Sequence, residues 1–308
     1  MLNFKIKSII KITFTIWASF ALGLSAQSDR ESTLVFQDVD SLHLGQTPPG
    51  AEPERFHPEL FPDGIHSAPT FTPDGTEMFW SGDYTPEGSR SRLQRIFHSR
   101  FVNGSWSDPE IMSFSGEYSD GGPFLNKNGT RLFFYSNNDI WFVDRTDTGW
   151  GEPQRLPINT DKYEAMASVA DDGTIFFQSN RPGTRGTFDV YYAEYTNGTY
   201  AEPKNIGSQV NCPSINLSPL IAPDQSFLII AYSNNEPNNG LHIAFKKRDG
   251  TWTKPVNMGD KINLTSAQRF PGLSPDGKYF FFVRGGSQGG LFWVDTKIID
   301  ELRPKDLK

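Results

Sequence analysis

Five copies of one sequence pattern constrain the fold of this chain more than any other feature. The copies read "SAPTFTPDGTEMFWSG", "DGGPFLNKNGTRLFFYSN", "AMASVADDGTIFFQSN", "LSPLIAPDQSFLIIAYSN" and "RFPGLSPDGKYFFFVRG". Each holds a tight turn between two apolar runs. The residues that anchor the turns, spaced 54, 44, 52 and 52 residues apart, are Gly75, Gly129, Gly173, Gln225 and Gly277.

A second mark follows four of the copies. It consists of a turn glycine, then Trp or Tyr, then Pro, as in "NGSWSDPEIM", "TGWGEPQRL", "NGTYAEPKNI" and "DGTWTKPVNM". Strand-like runs such as "FDVYYAEY" and "LHIAFKKR" lie between the two marks. Each copy therefore contains about four short strands, and a period of about 40 to 50 residues with four strands is typical of a β-propeller. We predict an all-β propeller of five four-stranded blades, with six blades as the alternative.

The fifth copy lacks the second mark, and the N-terminal region supplies a similar segment. "PGAEPERFHPELF", at residues 49–61, resembles the mark without its aromatic residue. We expect an N-terminal strand from this segment to complete the last blade and close the ring. The predicted domain boundaries are 27–48 for a lead-in and 49–308 for a single propeller domain.

The first 26 residues have the order of a secretory signal peptide. Three lysines precede the apolar run "ITFTIWASFALGL", and small residues near Ala26 suit cleavage. Without these lysines, 26 basic residues face 36 acidic ones, a formal charge of about −10. This charge argues against nucleic acid as a partner. We predict a periplasmic or secreted monomer with no membrane span after cleavage, and its one cysteine, Cys212, permits no intrachain disulfide.

The "SPDG" turn, the Pro six residues earlier and the following "FF-x-S-N" strand resemble the repeats of TolB-like, WD-repeat-like propellers of exported bacterial type. The resemblance covers nearly all of the chain that follows the leader. It implies the propeller fold, and this fold carries scaffolds, peptidase lids and lyases alike. Some members, similar to oligogalacturonate lyase, cleave uronate-containing oligosaccharides by β-elimination.

Nine residues before each anchor stands a polar side chain at the start of the predicted innermost strand. These five residues are His66, Asp120, Glu164, Asn216 and Gln268. One interpretation is that they satisfy backbone groups and line a wet channel. The other is a polar ring that binds a ligand or a divalent cation, with Asp120, Glu164, Asn216 and Gln268 offering oxygens for calcium or manganese. His66 is the odd member and a candidate general base, because imidazole gains and loses a proton near neutral pH.

The loops that join the second and third strands of the blades, and the neighbours of the five polar residues, carry further candidates. Arginine suits the carboxylate of an acidic sugar because its planar guanidinium makes paired hydrogen bonds. The predicted substrate-binding residues are Asp83, Tyr84, Arg181, Arg185, Arg269 and Arg284. Tyr118 and Tyr163 are candidate acids that would protonate a leaving oxygen.

Three functions remain open from the sequence. The first is an exported carbohydrate-active enzyme, a lyase or dehydratase that acts by β-elimination on uronate-containing acidic oligosaccharides, with His66, Tyr118 and Tyr163 as its catalytic residues. The second is a non-catalytic periplasmic binding or scaffold propeller. The third is a glycoside hydrolase that uses Asp120 and Glu164 as a carboxylate pair. The "HExxH" and phosphate-loop patterns of other enzyme classes do not occur in the sequence, and "GGSQGG" at residues 285–290 contains G-x-S-x-G without the following helix that a nucleophile elbow or a nucleotide site needs.

Overall fold

Five antiparallel β-sheets form the five blades of a propeller in this computed structural model. The structure describes residues 46–308 except 59, 62–63, 104, 117, 234–238, 265–267 and 287–288. The predicted signal peptide, residues 1–26, and the lead-in up to residue 45 lie outside the described residues. The prediction of five blades is confirmed, and a sixth blade is not formed by the described chain.

The blades follow one another along the chain, and each inner strand lies next to the central axis. The closing strand is β1 (Glu54–Arg55). Blade 1 consists of β2 (Thr70–Phe71), β3 (Glu77–Tyr84), β4 (Leu93–Val102), β5 (Ser105–Trp106) and β6 (Glu110–Ile111). Blade 2 consists of β7 (Asp120–Leu125), β8 (Arg131–Ser136), β9 (Asp139–Thr146), β10 (Gly149–Trp150) and β11 (Gln154–Arg155).

Blades 3 to 5 repeat this order. Blade 3 consists of β12 (Glu164–Val169), β13 (Ile175–Ser179), β14 (Asp189–Ala193) and β17 (Lys204–Asn205), with a ribbon of β15 (Tyr195–Thr196) and β16 (Thr199–Tyr200). Blade 4 consists of β18 (Asn216–Ile221), β19 (Phe227–Tyr232), β20 (Gly240–Phe245) and β21 (Val256–Asn257). Blade 5 consists of β22 (Gln268–Leu273), β23 (Tyr279–Arg284), β24 (Gly290–Asp295) and the closing strand β1.

The N-terminal strand closes the ring as predicted. Strand β1 pairs antiparallel with β24, with Glu54 opposite Trp293 and Arg55 opposite Phe292. Phe56, directly after β1, is fully buried and packs 4.9 Å from Trp293, measured between ring centroids. After β24 follow a short helix, α1 (Lys297–Leu302), and a 3₁₀ turn (Lys305–Leu307). Among the described residues, no helix is both long and apolar enough to cross a lipid bilayer.

The repeated turns are held by their own side chains. In blade 1, Thr72 Oγ1 donates to Asp74 Oδ1 at 2.6 Å, and Asp74 also accepts the backbone N–H of Thr76. Ser274 and Asp276 make the same 2.6 Å bond in blade 5. The turn aspartates thus bind backbone groups, as Asp commonly does in turns.

The hydrophobic core is divided among the spaces between blades. Five clusters of buried apolar side chains occur, and each one joins the facing sheets of two neighbouring blades. Between blades 5 and 1, for example, Trp80 and Met78 pack in one cluster with Phe281 and Trp293. A single radial sheet exposes both faces, and the ring buries them by setting blade against blade.

An asparagine ties the loop before each of three inner strands to the preceding blade. Asn211 accepts the N–H of Val190 at 2.9 Å and donates to the carbonyl of Val190 at 3.1 Å. Asn159 and Asn263 make the same two bonds to Ile140 and Leu241. The amide side chain therefore acts as an extra partner for the third strand and fixes the start of the next blade.

Candidate functional site

The central channel is almost closed. Segments of all five inner strands line it, and the cavity that remains measures about 60 Å³. A water molecule takes up about 30 Å³ in the liquid. A ligand of the size of a sugar must therefore bind at a mouth of the channel or elsewhere on the molecule.

Backbone bulges narrow this channel. The inner strands of blades 2 to 5 each shift register once. The residues within these shifts have left-handed backbones: Gly122 (φ 56°), Met166 (φ 53°), Ser218 (φ 49°) and Phe270 (φ 55°). For residues other than glycine this conformation costs on the order of 1 kcal/mol. All four line the channel, so the strained positions are also those that fill it.

Four of the five predicted ring residues are buried rather than exposed to a channel. Asp120, Glu164, Asn216 and Gln268 expose 2, 0, 0 and 1% of their surface. Asp120 accepts a 2.9 Å hydrogen bond from Ser115 in the loop before its strand, and its burial raises its pKa. Glu164 accepts two bonds from Thr160 in the equivalent loop. Part of the first interpretation fits, since Glu164 accepts a backbone N–H, but these buried side chains do not line a wet channel.

The buried set does not fit a metal ion. Its carboxylate and amide oxygens lie on different blades, and Asp120, Glu164 and Asn216 use theirs for local hydrogen bonds. Within the described ranges, no cluster of three or more His, Cys, Asp or Glu side chains is placed to hold a metal. Calcium or manganese binding stays a prediction for which these residues supply no common site.

His66 does not belong to the buried set, and the prediction of five equivalent positions is wrong there. In blade 2 Asp120 pairs with Ser136, seven residues after the turn anchor. In blade 1, Gly82 corresponds to Ser136, since it also lies seven residues after its turn anchor. The partner of Gly82 is Ile65. One additional residue in this part of blade 1 therefore moves His66 by one position, and a shift of one residue turns a side chain to the other face of a sheet. The residues in register with His66 are Gly121, Ala165, Leu217 and Arg269.

The shift brings His66 together with Asp83, a residue from the second predicted set. His66 Nε2 lies 2.9 Å from Asp83 Oδ1, and the two side chains expose 30% and 18% of their surface. Arg92 Nη1 lies 3.1 Å from the other carboxylate oxygen. Gly64, with φ +94°, allows this arrangement, because a Cβ there would lie 2.4 Å from Asp83 Oδ2.

The His66 pair lies at the mouth where the inner strands begin. The ring of Phe270, from blade 5, lies 6.4 Å from the imidazole, measured between centroids. Phe270 lines the closed channel, and Arg269 beside it is exposed. An imidazole that is oriented by a carboxylate and partly open to solvent can accept or donate a proton. We call His66, Asp83 and Arg92 the blade 1 triad.

The predicted tyrosines differ in their surroundings. Tyr118 is exposed, and its backbone carbonyl accepts a 2.6 Å hydrogen bond from Arg95. Tyr163 is half buried, its burial raises its pKa, and its ring lies 5.5 Å from Phe188. Neither contacts the blade 1 triad through a described hydrogen bond or ring contact, so their role as acids stays a prediction.

A third tyrosine, Tyr135, was missed by the sequence analysis. Its hydroxyl donates to Gln94 of blade 1, and its ring lies 6.5 Å from Tyr163. Burial raises its pKa, and a Cβ at Gly121 would lie 2.7 Å from its hydroxyl oxygen. In the aligned copies the equivalent position holds Ser, Gln, Ala or Val. The occurrence of a tyrosine at this repeat position in blade 2, and in none of the other copies, is the sequence signal that could have identified Tyr135.

Two of the predicted arginines are structural in their contacts. Arg181 and Arg284 each expose 7% of their surface. Arg181 donates to Glu164 at 3.2 Å and stacks over Phe177, while Arg284 lies 4.0 Å from the ring centroid of Phe292. The two therefore do not form an open basic rim, and substrate binding by them stays a prediction.

The other predicted binding residues are more accessible. Arg185 and Arg269 are exposed, and Tyr84 is half buried with the Arg95 guanidinium 5.8 Å from its ring centroid. Among the predicted residues, the structure brings His66 and Asp83 together at a mouth of the ring, and it pairs Arg181 with Glu164 in the interior. Exposed Arg269 adjoins that mouth through Phe270.

Of the comparisons with known proteins, the one with solved structures found similar chains. No protein-family model matches the chain, and no curated protein matches it. The structure is similar to TolB from Acinetobacter baumannii, at a TM-score of 0.49 and 19% identity over 76% of this chain and 52% of that chain. It is also similar to an oligogalacturonate lyase in complex with manganese, at a TM-score of 0.44 and 13% identity over 79% of this chain and 66% of that chain.

A third similar structure is an α-L-arabinofuranosidase from Lactobacillus brevis, at a TM-score of 0.49 and 15% identity over 76% of this chain and 92% of that chain. The described chain spans about half the length of the TolB structure. The predicted five-bladed propeller is confirmed by the sheets of the structure itself.

Proposed function

We propose that this protein is an exported carbohydrate-active enzyme that performs β-elimination on a uronate-containing oligosaccharide, with His66 as its general base. The observation that carries the proposal is a break in the repeat. In blades 2 to 5 the polar residue before the turn is buried in local contacts, whereas in blade 1 His66 is partly exposed and oriented by Asp83.

The reaction places defined demands on the site. The base takes the proton at C5, the released electron pair forms the C4–C5 double bond, and the C4–O bond breaks as the leaving oxygen receives a proton. The sugar carboxylate must be neutralised so that its α-proton becomes acidic. Exposed Arg269, adjacent to Phe270, is the group that we assign to the carboxylate.

The geometry of the blade 1 triad supports the base role of His66. Asp83 accepts the hydrogen bond of Nε2, so the other ring nitrogen, Nδ1, is the one that can take the substrate proton. Arg92 stabilises the negative charge of Asp83 from its other oxygen. Tyr118, exposed on the loop before β7, is assigned the role of the acid that protonates the leaving oxygen.

The test is a single assay with three variants. The mature protein is incubated with acidic oligosaccharides, with and without calcium or manganese, and the ultraviolet absorbance of the unsaturated uronate is followed. We expect His66→Ala to abolish the absorbance change and Asp83→Asn to reduce its rate about 100-fold or more, since general base catalysis typically contributes 10²–10⁴-fold. His57→Ala, which changes a histidine outside the blade 1 triad, is the matched control.

The outcomes separate the candidate functions. Activity of His66→Ala within a few-fold of wild type would remove His66 as the base. Reducing sugar without unsaturated product would indicate hydrolysis instead, although Asp120 and Glu164 are both buried in local hydrogen bonds. If no product forms with any substrate, a non-catalytic binding propeller is the better account.

We also propose that the protein acts outside the cytoplasm, as a monomer, on an acidic oligosaccharide. The proposal rests on the leader sequence of residues 1–26 and on the acidic composition. The mass of the exported protein tests it, because cleavage near Ala26 removes the three N-terminal lysines. An intact N-terminus in the exported fraction would contradict the cleavage.

A further inference from the structure

A second cavity lies between blades 3 and 4, at the end of the blades opposite to the blade 1 triad. Its volume is about 630 Å³, and typical small-molecule sites measure about 300–1,000 Å³. Asp172, in the turn after the inner strand of blade 3, lies at its edge. The blade 1 triad lies where the inner strands begin, so the cavity belongs to the other face of the ring. We call it the blade 3–4 cleft.

Aromatic rings form both walls of the blade 3–4 cleft. Tyr192 comes from blade 3 and Trp252 from blade 4, and both are half buried. Each contacts Phe176, at the base of the cleft, with centroid distances of 5.7 Å and 6.4 Å. A lysine ammonium lies over each ring, with Lys204 Nζ 5.9 Å from the centroid of Tyr192. The two half-buried rings offer apolar surface in an otherwise polar setting.

The aromatic residues equivalent to Trp252 in other blades have closer partners. Trp106 packs 5.5 Å from Phe101, and Tyr200 packs 4.8 Å from Tyr195. The Arg145 guanidinium lies 4.5 Å above the ring of Trp150. Trp252 instead has the Lys246 ammonium at 5.8 Å and Phe176 at 6.4 Å, both measured to its ring centroid, and it lines the cleft.

Polar side chains are fixed along the same cleft. Lys246 Nζ donates to Gln225 Oε1, and Gln225 Nε2 donates to Asp172 Oδ2, both at 2.6 Å. Although desolvation would raise the pKa of Asp172, hydrogen bonds from Thr174 and Gln225 outweigh it and lower that pKa. A chain of donors and an ionised acceptor therefore crosses from blade 4 to blade 3 beside the aromatic walls.

We propose that the blade 3–4 cleft is a saccharide-binding site that holds a pyranose ring between Tyr192 and Trp252. The C–H faces of a pyranose are apolar and suit the two aromatic walls, while its equatorial hydroxyl groups point outward. Lys246 donates to one of these groups, and Glu194 and Asp172 accept from others. The proposal concerns binding alone and does not depend on elimination at His66.

The experiment measures saccharide binding by calorimetry to the mature protein. The probes are a neutral β-linked hexose tetrasaccharide series and tetragalacturonate, tested separately. We expect at least one of them to bind, and Trp252→Ala to weaken that binding about tenfold or more, as the loss of a buried aromatic contact does. Trp150→Ala, at the equivalent position of blade 2, is the matched control and retains wild-type affinity.

A further variant and the choice of probes keep the test decisive. If Trp252→Ala lowers the thermal stability, Gln209→Arg replaces it, because Gln209 is exposed and lines the cleft without supporting its walls. Binding of the neutral series, which carries no uronate for the proposed elimination, separates this site from the proposed reaction. Absence of binding by every probe, or equal affinity in Gln209→Arg and wild type, would overturn the proposal.

Discussion

At the scale of single residues, Glu77 carries the densest set of ionic contacts between two blades. It starts β3 in blade 1 and bonds to Arg100 at 3.1 Å and to Arg145 of blade 2, while His98 lies 3.6 Å away. Desolvation would raise the pKa of Glu77, but these partners outweigh it and lower the pKa to about 2. The folded state therefore favours the ionised carboxylate.

This pKa predicts how the stability changes with pH. Replacing Glu77 by Gln should lower the free energy of unfolding at neutral pH by roughly 3 kcal/mol. Because the folded pKa lies below the usual 4.5, the contribution of Glu77 is complete above about pH 5 and is lost as the pH falls towards 2. Urea unfolding of wild type and Glu77→Gln at several pH values measures it.

Exposed Glu110 provides the control, since Glu110→Gln removes a carboxylate that pairs with no described basic side chain. The difference in the free energy of unfolding between wild type and Glu77→Gln should become smaller as the pH falls. A difference that stayed constant from neutral to strongly acidic pH would show that Glu77 is not ionised preferentially in the folded state.

Single residues also mark where the sequence stops being informative. The buried roles of Asp120, Glu164 and Asn216 follow from a repeat position that can be read from the alignment. The orientation of His66 cannot be read from it, because it depends on one additional residue between Ile65 and Thr70. Such a register shift arises from the pairing of two strands, and no local propensity reports it.

At the scale of elements, the asparagine contacts explain how successive blades keep their spacing. Asn159, Asn211 and Asn263 are spaced by 52 residues, the same interval as the turns of their blades. This spacing was visible in the sequence, although its meaning required the structure, which shows the amide bonded to a strand of the preceding blade. In the loop between blades 1 and 2, Ser115 takes the place of the asparagine. Its Oγ accepts the N–H of Ile96, on the third strand of blade 1, at 3.0 Å.

We predict that Asn211→Ala lowers the free energy of unfolding by about 1–3 kcal/mol, because the buried N–H and carbonyl of Val190 lose a partner. The free energy of unfolding of Asn211→Asp should lie between those of wild type and Asn211→Ala, since a carboxylate can accept the N–H of Val190 but cannot donate to its carbonyl. Asn128→Ala, in an exposed turn, is the control. Guanidinium unfolding followed by fluorescence would contradict the prediction if Asn211→Ala and Asn128→Ala had equal midpoints.

The turns and strands, by contrast, were predictable because their determinants are local. A glycine such as Gly75, with φ +68°, and an aspartate that bonds its own turn are encoded within four residues. The burial of Arg181 and Arg284 was not predictable, because it depends on rings from neighbouring strands, Tyr191 for Arg181 and Phe292 for Arg284. The sequence therefore indicated which polar residues lie in or beside loops, but it did not indicate which of them are exposed to solvent.

At the scale of the whole molecule, the ring is held by β1 and by Phe56 behind it. Phe56 is fully buried, with Trp293 at 4.9 Å and Phe281 at 5.1 Å between centroids. Large-to-small substitutions of a buried Phe cost about 3–5 kcal/mol. The cluster between blades 5 and 1 therefore depends on a residue from the opposite end of the described chain.

We predict that Phe56→Ala destabilises the protein by about this amount and that protease cleavage then begins in blade 5. Thermal unfolding and limited proteolysis with mass spectrometry measure the two effects. Phe101→Ala, which removes a half-buried ring from the outer part of blade 1, should have the smaller effect. First cleavage in blade 2 or 3 would contradict the role assigned to the closing strand.

The pairing of β1 with β24 also has a consequence in time. Strand β1 is the first described strand to be synthesised, and its partner is the last. Until β24 has been synthesised, Phe56 lacks the rings of Phe281 and Trp293, and β1 has no edge to join. The ring can therefore close only once blade 5 has been synthesised, so a chain released before that point keeps two unpaired strand edges and remains a target for quality-control proteases.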